Sequence, residues 1–163
     1  MKRLLCTMAL VGMLVAPGVV QAQLTAGPIL AYHTAAAAIG AGAFLPIPVP
    51  TPAAGFPIVP NFVWFFPDGF DYFEVNGDVM YSFPVSADAP VAPFAFAGLN
   101  VARTSVSVGT FSASSTDIGL NLGGGINFNA GSVNPFAGAK FEIQDGTGFV
   151  IFGGLGFAVG GGA

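Results

Sequence analysis

Asp117-Ile118-Gly119-Leu120-Asn121-Leu122-Gly123-Gly124-Gly125-Ile126-Asn127-Phe128 decides the fold. Its even positions read Ile, Leu, Leu, Gly, Ile, Phe and its odd positions Asp, Gly, Asn, Gly, Gly, Asn. Successive side chains of a strand point to opposite faces, so near-strict alternation over this length is the mark of a strand with one apolar and one polar face. A helix of the same residues would scatter both classes round its surface.

Outward from that stretch the same period returns. Phe73, Val75, Gly77, Val79, Tyr81 and Phe83 share one face, against Glu74, Asn76, Asp78, Met80 and Ser82. From Val133 to Gln144 the apolar phase holds Val133, Ala137, Ala139, Phe141 and Ile143, and the other holds Asn134, Lys140, Glu142 and Gln144. A last segment aligns Phe149, Ile151, Leu155, Phe157 and Val159. Each run has the length of about ten residues that a tilted strand needs to cross a bilayer. Turn-forming clusters separate them: Ser86–Pro90, Asn129–Ser132 and Asp145–Gly148. The Ser- and Thr-rich stretch Ser105–Thr116 reads as a surface loop.

Charge says which solvent these faces meet. Only 7% of the residues are charged, against about 25% in an ordinary soluble domain. No Asp, Glu, Lys or Arg occurs between Arg3 and Asp68. Beyond Arg3 the only basic residues are Arg103 and Lys140, facing eight acids, which excludes nucleic acid as a partner because phosphate binding needs clustered cations. Lipid suits so uncharged a surface. Lipid also admits only helices and closed barrels, since every backbone N–H and C=O must be paired internally. The best helical candidate, Ile29 to Phe44, falls short of the roughly 20 apolar residues a span requires and carries His33 and Thr34. The polar phase is mostly Gly, Ala and Asn, too small and too weakly charged for a watery exterior but suited to a narrow lumen. The apolar phase is therefore assigned to lipid.

Residues 1–22 stand apart. Lys2 and Arg3 precede the apolar run Leu4–Val15, and Val20-Gln21-Ala22 supplies small residues for cleavage, so 1–22 reads as a secretory signal peptide and 23–163 as one barrel domain. Cys6 lies too early for a lipidation site, and the remainder contains no cysteine. Counting back from the C-terminus gives strands at 148–159, 133–144, 117–128, 91–104 and 71–84, then Phe56–Phe66 with ambiguous phase, then 24–33 and 36–45. Eight antiparallel strands result, an even number that returns both termini to one side. Pro46-Ile47-Pro48-Val49-Pro50-Thr51-Pro52 is expected as an extended connection, because alternate residues lack a donor for pairing.

Several stretches resemble the small outer-membrane barrels of the OmpA transmembrane-domain, OmpX and opacity-protein type: Val91–Asn100, Thr116–Ile126 and Asn134–Lys140, with their Pro-aromatic strand starts and Gly-rich strands. The resemblance spans roughly residues 70–160. It implies an all-β closed antiparallel transmembrane barrel in the bacterial outer membrane, inserted by the barrel-assembly machinery. Where such barrels end in an aromatic residue, this chain continues past Phe157 into Gly160-Gly161-Gly162-Ala163.

No constellation points to catalysis. His33 is the only histidine, and the serines lie outside any nucleophile-elbow context. One histidine and scattered carboxylates offer no metal-ligand spacing, and the triple-glycine runs lack the lysine and helix of a phosphate loop. No cofactor is expected. Glu74, Asp78, Lys140 and Glu142 share the polar phase, so the reading places them in the lumen as a structural charge cluster in which Lys140 must find acidic partners. Asn121, on the same phase, is expected to tolerate serine. The expected role is structural or surface-interacting, through outer-membrane lipids and an extracellular partner touching the outer loops, with the protein a monomer. A narrow solute conduit and a lipid-modifying enzyme are the alternatives.

Overall fold

The computed structural model describes residues 24–49, 56–86 and 88–159. The expected signal peptide, residues Pro50 to Pro52 and the terminal glycines lie outside them. Eight strands, β1 (Leu24–His33), β2 (Ala38–Phe44), β3 (Ile58–Phe65), β4 (Asp71–Ser82), β5 (Val91–Val108), β6 (Phe111–Phe128), β7 (Val133–Ile143) and β8 (Thr147–Val159), follow one another round a closed barrel. Every neighbouring pair is antiparallel, and β8 closes on β1 through partners such as Tyr32 with Ile151. Closure leaves no edge along the wall, as a lipid-embedded sheet requires.

Within the barrel wall the outward phase is apolar on every strand. Leu30, Ile39, Leu99, Leu120, Leu122 and Ile151 expose between 52% and 65% of their surface. A continuous belt of this kind far exceeds the apolar patches that water-facing proteins tolerate, so it faces hydrocarbon. Aromatic side chains flank it at both ends. Trp64 stacks on Phe73 and Phe141 meets Phe149 near the β1–β2 turn end, while Phe56 stacks on Tyr81 at the end that carries the chain termini. Such paired girdles mark the two interfaces of a membrane barrel.

The inward phase explains the glycines. Six phenylalanines of the strands point into the barrel, and each sits directly opposite a glycine on a neighbouring strand: Phe44 with Gly27, Phe65 with Gly40, Phe94 with Gly125, Phe96 with Gly123, Phe136 with Gly154 and Phe152 with Gly138. A β-carbon on Gly154 would stand 2.4 Å from Phe136 Cζ, and one on Gly125 2.6 Å from Phe94 Cζ. The glycine opposite each ring makes the room that a narrow lumen otherwise lacks.

Two stretches differ from the sequence reading. Ser105–Thr116 is a ribbon and not a loop: β5 and β6 continue past the rim and turn at Gly109-Thr110, with Gly109 in the left-handed region at φ 62. Ser, Thr and Val alternate here, and β-branched residues favour strand. Both faces of the ribbon change character as it rises. Below, the outward residues are Val101 and Ile118; above, they are Arg103 with Thr116, Ser105 with Ser114 and Ser107 with Ser112. The inward phase stays polar through Asp117 and the Thr104–Ser115 pair and turns apolar only above them, with Val106 opposite Ala113 and Val108 opposite Phe111. The outward switch marks where hydrocarbon ends. The second difference is Ile47, which keeps its N–H between Pro46 and Pro48 and bridges Ile58 through Ile47 N to Ile58 O at 2.7 Å and the reverse bond at 3.0 Å. The ambiguous third strand resolves with Val63 and Phe65 buried inside and Phe62 and Trp64 exposed outside.

Candidate functional site: the lumenal polar layer

Across the middle of the barrel runs a layer of buried polar side chains. Strand β4 places Tyr72, Glu74, Asn76 and Asp78 on one face by simple alternation, β7 supplies Lys140 and Glu142, and β3, β5, β6 and β1 add Asn61, Asn100, Asn121 and His33. Glu74 and Asn100 are wholly buried, and Lys140 keeps only 6% of its surface.

Lys140 is the hub. Its Nζ donates to Glu74 Oε2 and to Asn76 Oδ1, both at 3.1 Å, and pairs with Glu142 Oε1. The second oxygen of Glu74 accepts from Tyr72 Oη at 2.7 Å. The second oxygen of Glu142 meets His33 Nε2 at 3.1 Å. The backbone N–H of Ala36 donates to His33 Nδ1 at 3.1 Å, so that nitrogen carries the lone pair and Nε2 carries the hydrogen directed at Glu142. The imidazole edge-packs against Phe65 and Tyr72 with centroids 5.6 Å and 5.4 Å away.

Asp78 belongs to a separate arm. It does not reach Lys140 and instead accepts from Asn121 Nδ2 at 2.9 Å and Asn61 Nδ2 at 3.1 Å. Asn121 Nδ2 also donates to Asn76 Oδ1 at 2.8 Å, which joins the two arms. Glu74, Lys140 and Glu142 thus converge directly, and Asp78 joins them through amides. Asn121 is a bridging donor with 2% exposure, so serine in its place, expected from sequence to be harmless, would break two bonds at once. Nothing in the sequence ties His33, the only histidine, to this layer. The registers bring it in: His33 lies opposite Val150, and Val150 opposite Lys140.

Chemically the layer is a sealed ion-pair network. Both nitrogens of His33 are engaged, leaving neither to activate a hydroxyl. His33, Glu74 and Glu142 offer ligand atoms within 4.8 Å of one another, but the Lys140 ammonium already bridges the two carboxylates where a cation would sit. The layer divides the lumen. Toward the terminal end lies a cavity of about 310 Å³ walled by inward phenylalanines. Toward the turn end lies an open vestibule of about 500 Å³ whose lining includes Asp117, Gln144 and Asp145.

The sequence matches no protein-family model and no curated protein. Solved structures share the fold. The N-terminal β-barrel domain of Pseudomonas aeruginosa OprF superposes with a TM-score of 0.68 at 12% identity, covering 83% of this chain and 96% of that one. Neisserial surface protein A gives 0.66 at 15% identity, and Ail, the attachment invasion locus protein of Yersinia pestis, gives 0.56 at 14%, each with the same coverage. The chain therefore has the architecture of the small eight-stranded outer-membrane barrels that its Pro-aromatic strand starts and Gly-rich strands resemble.

Proposed function

We propose that this protein is a plugged barrel of the bacterial outer membrane, with a structural or surface-interaction role and no catalytic one. The observation that carries the reading is the combination of an apolar belt outside and a buried, ion-paired polar layer inside. Such a barrel gives the membrane a rigid element and displays whatever stands above its rims. The β5–β6 ribbon is the display surface on the turn side, where the other connections, Thr34–Ala37 and the turns around Gly69 and Gly146, are short. Its exposed tip, Val108 and Phe111, is the place for an extracellular partner to dock. Outer-membrane lipids cover the belt, the barrel-assembly machinery inserts it, and a single chain completes it.

A solute conduit is disfavoured by the same layer, because Glu74, Asn100, Asn121 and Glu142, each at 2% exposure or less, separate the two cavities. The test is reconstitution. Protein refolded in liposomes is expected to shift in gel mobility on boiling, to fractionate with the outer membrane when expressed from its own leader, and to leave the vesicles impermeable to small sugars. Rapid vesicle swelling in sugar would replace the plugged barrel with the conduit. Surface contact is read separately: cells carrying Val108→Ser with Phe111→Ser should lose binding to the target matrix or host cell while keeping the barrel, and unchanged binding would remove the ribbon from the role.

A further inference from the structure

The lower lumen is unlike the polar layer above it. Its cavity of about 310 Å³ is lined by Ile29, Val63, Phe94, Phe136, Val150 and Phe152 among others, and it opens toward the terminal end. That volume and make-up are those of small-molecule sites, which are mostly apolar with a few placed polar groups. An apolar space of this kind holds water poorly, because a water needs two to four polar partners.

We propose that this cavity binds one medium-length acyl chain carrying an uncharged head group. The apolar walls ask for hydrocarbon. Taking a methylene as similar in size to a water, whose share of liquid volume is about 30 Å³, the cavity takes a chain of about ten carbons. The head group is fixed by charge. The one cation in the lining, Lys140, is committed to Glu74 and Glu142, and Glu74 and Asp78 also face the cavity, so a carboxylate or phosphate would meet acids without a free partner. Two amides stand at the mouth instead. Asn127 and Asn134 lie on the inward phase at the terminal ends of β6 and β7, and neither makes a side-chain hydrogen bond among the described residues. They suit hydroxyl and ester oxygens. A monoacylglycerol-type amphiphile fits both halves of the site. The proposal rests on the barrel standing in lipid but not on any surface role.

Methyl NMR of the barrel in nanodiscs tests it, with 1-monodecanoylglycerol as probe and decanoate as the charged comparison. Ile29, Val63 and Val150 point inward, while Ile39, Ile118 and Ile151 point to lipid and report simple partitioning into the bilayer. The expected result is a saturable shift of the inward methyls at probe levels where the outward ones drift linearly. Decanoate should bind at least ten-fold more weakly. Ile29→Phe fills the cavity between Gly42 and Gly154 and should lower the affinity at least ten-fold; Val63→Phe is the second filling variant, read if the first no longer gives a heat-modifiable barrel. Inward methyls that do not saturate, or filled variants that bind as the native barrel does, overturn the site. Equal binding of decanoate overturns the uncharged head group.

Discussion

Lys140 Nζ lies 3.1 Å from Glu74 Oε2 across the lumen, tying β7 to β4, strands that share no hydrogen-bonded ladder. The bond braces facing walls of the cylinder where the ladder cannot. Removing one partner of a buried pair leaves the other charge stranded, a loss of about 3–5 kcal/mol. Lys140→Ala is expected to lower urea-unfolding stability by that amount. Arg103→Ala, whose exposed side chain only reaches Thr116 and Ser114, should fall within about 0.5 kcal/mol of the native barrel. Equal losses from the two would contradict the assignment of Lys140 as the hub.

Leu122 and Asn121 are adjacent in sequence and face opposite solvents. Leu122→Arg places a charge in hydrocarbon and should cost about 2–4 kcal/mol near the midplane. Asn121→Ser removes the donor to Asp78 and Asn76 and should cost about 1–3 kcal/mol. A soluble barrel would also resist the arginine, so the deciding measurement is a dye on a cysteine at position 122. Brominated lipid should quench it; a dye at position 121 should not be quenched.

Gly40 faces Phe65, and a β-carbon there would stand 2.7 Å from Phe65 Cδ1 and 2.8 Å from Val63 Cγ1, with only side chains in the way. Gly40→Ala should therefore destabilise by about 1–3 kcal/mol through overpacking. Phe65→Leu creates room, so it should cost less in the Gly40→Ala background than in the native one. A double-mutant cycle in chemical denaturation reads the coupling, and strict additivity would show that the ring and the glycine do not press on each other.

The ribbon above the rim stands free of the wall. Shortening it by deleting Val106–Ala113 and closing the gap with Asn-Gly should leave heat-modifiability and unfolding stability within about 0.5 kcal/mol of native, since the deleted residues pair only among themselves. A barrel that no longer folds would mean that the ribbon takes part in assembly.

Much of this architecture was legible because a strand writes its two environments on alternate residues. The phases of β4, β6, β7 and β8 followed from Glu74, Asn121, Lys140 and Phe149 without any tertiary information, and eight strands followed from turn spacing. The ribbon was misread because Ser and Thr dominate Ser105–Thr116, and polarity was taken for irregularity; the Ser-Val-Ser-Val alternation of Ser105 to Val108 was the available signal. Glu74, Lys140 and Glu142 could be assigned to the lumen but not to one another, since alternation gives direction and not height. Height comes from register, and register is what brings His33 level with Lys140 and leaves Asp78 two amides away from it, through Asn121 and Asn76. The lower cavity had no sequence signal: alternation puts Phe136 on the same phase as Lys140, but the space between inward rings depends on registers that alternation does not give.

The facing of each inward phenylalanine by a glycine has a consequence for how such a barrel can drift. A ring on one strand and a bare α-carbon on the next form a unit inherited across a hydrogen-bonded rung, although the two lie as far apart in the chain as Phe94 and Gly125 or as near as Phe152 and Gly138. Bulk can move from one side of a rung to the other, or shrink on one side as it grows on the other, without disturbing the wall. Descendants of this chain should accordingly exchange large for small in pairs at these six rungs, and a lone substitution at either partner should be the rarer event.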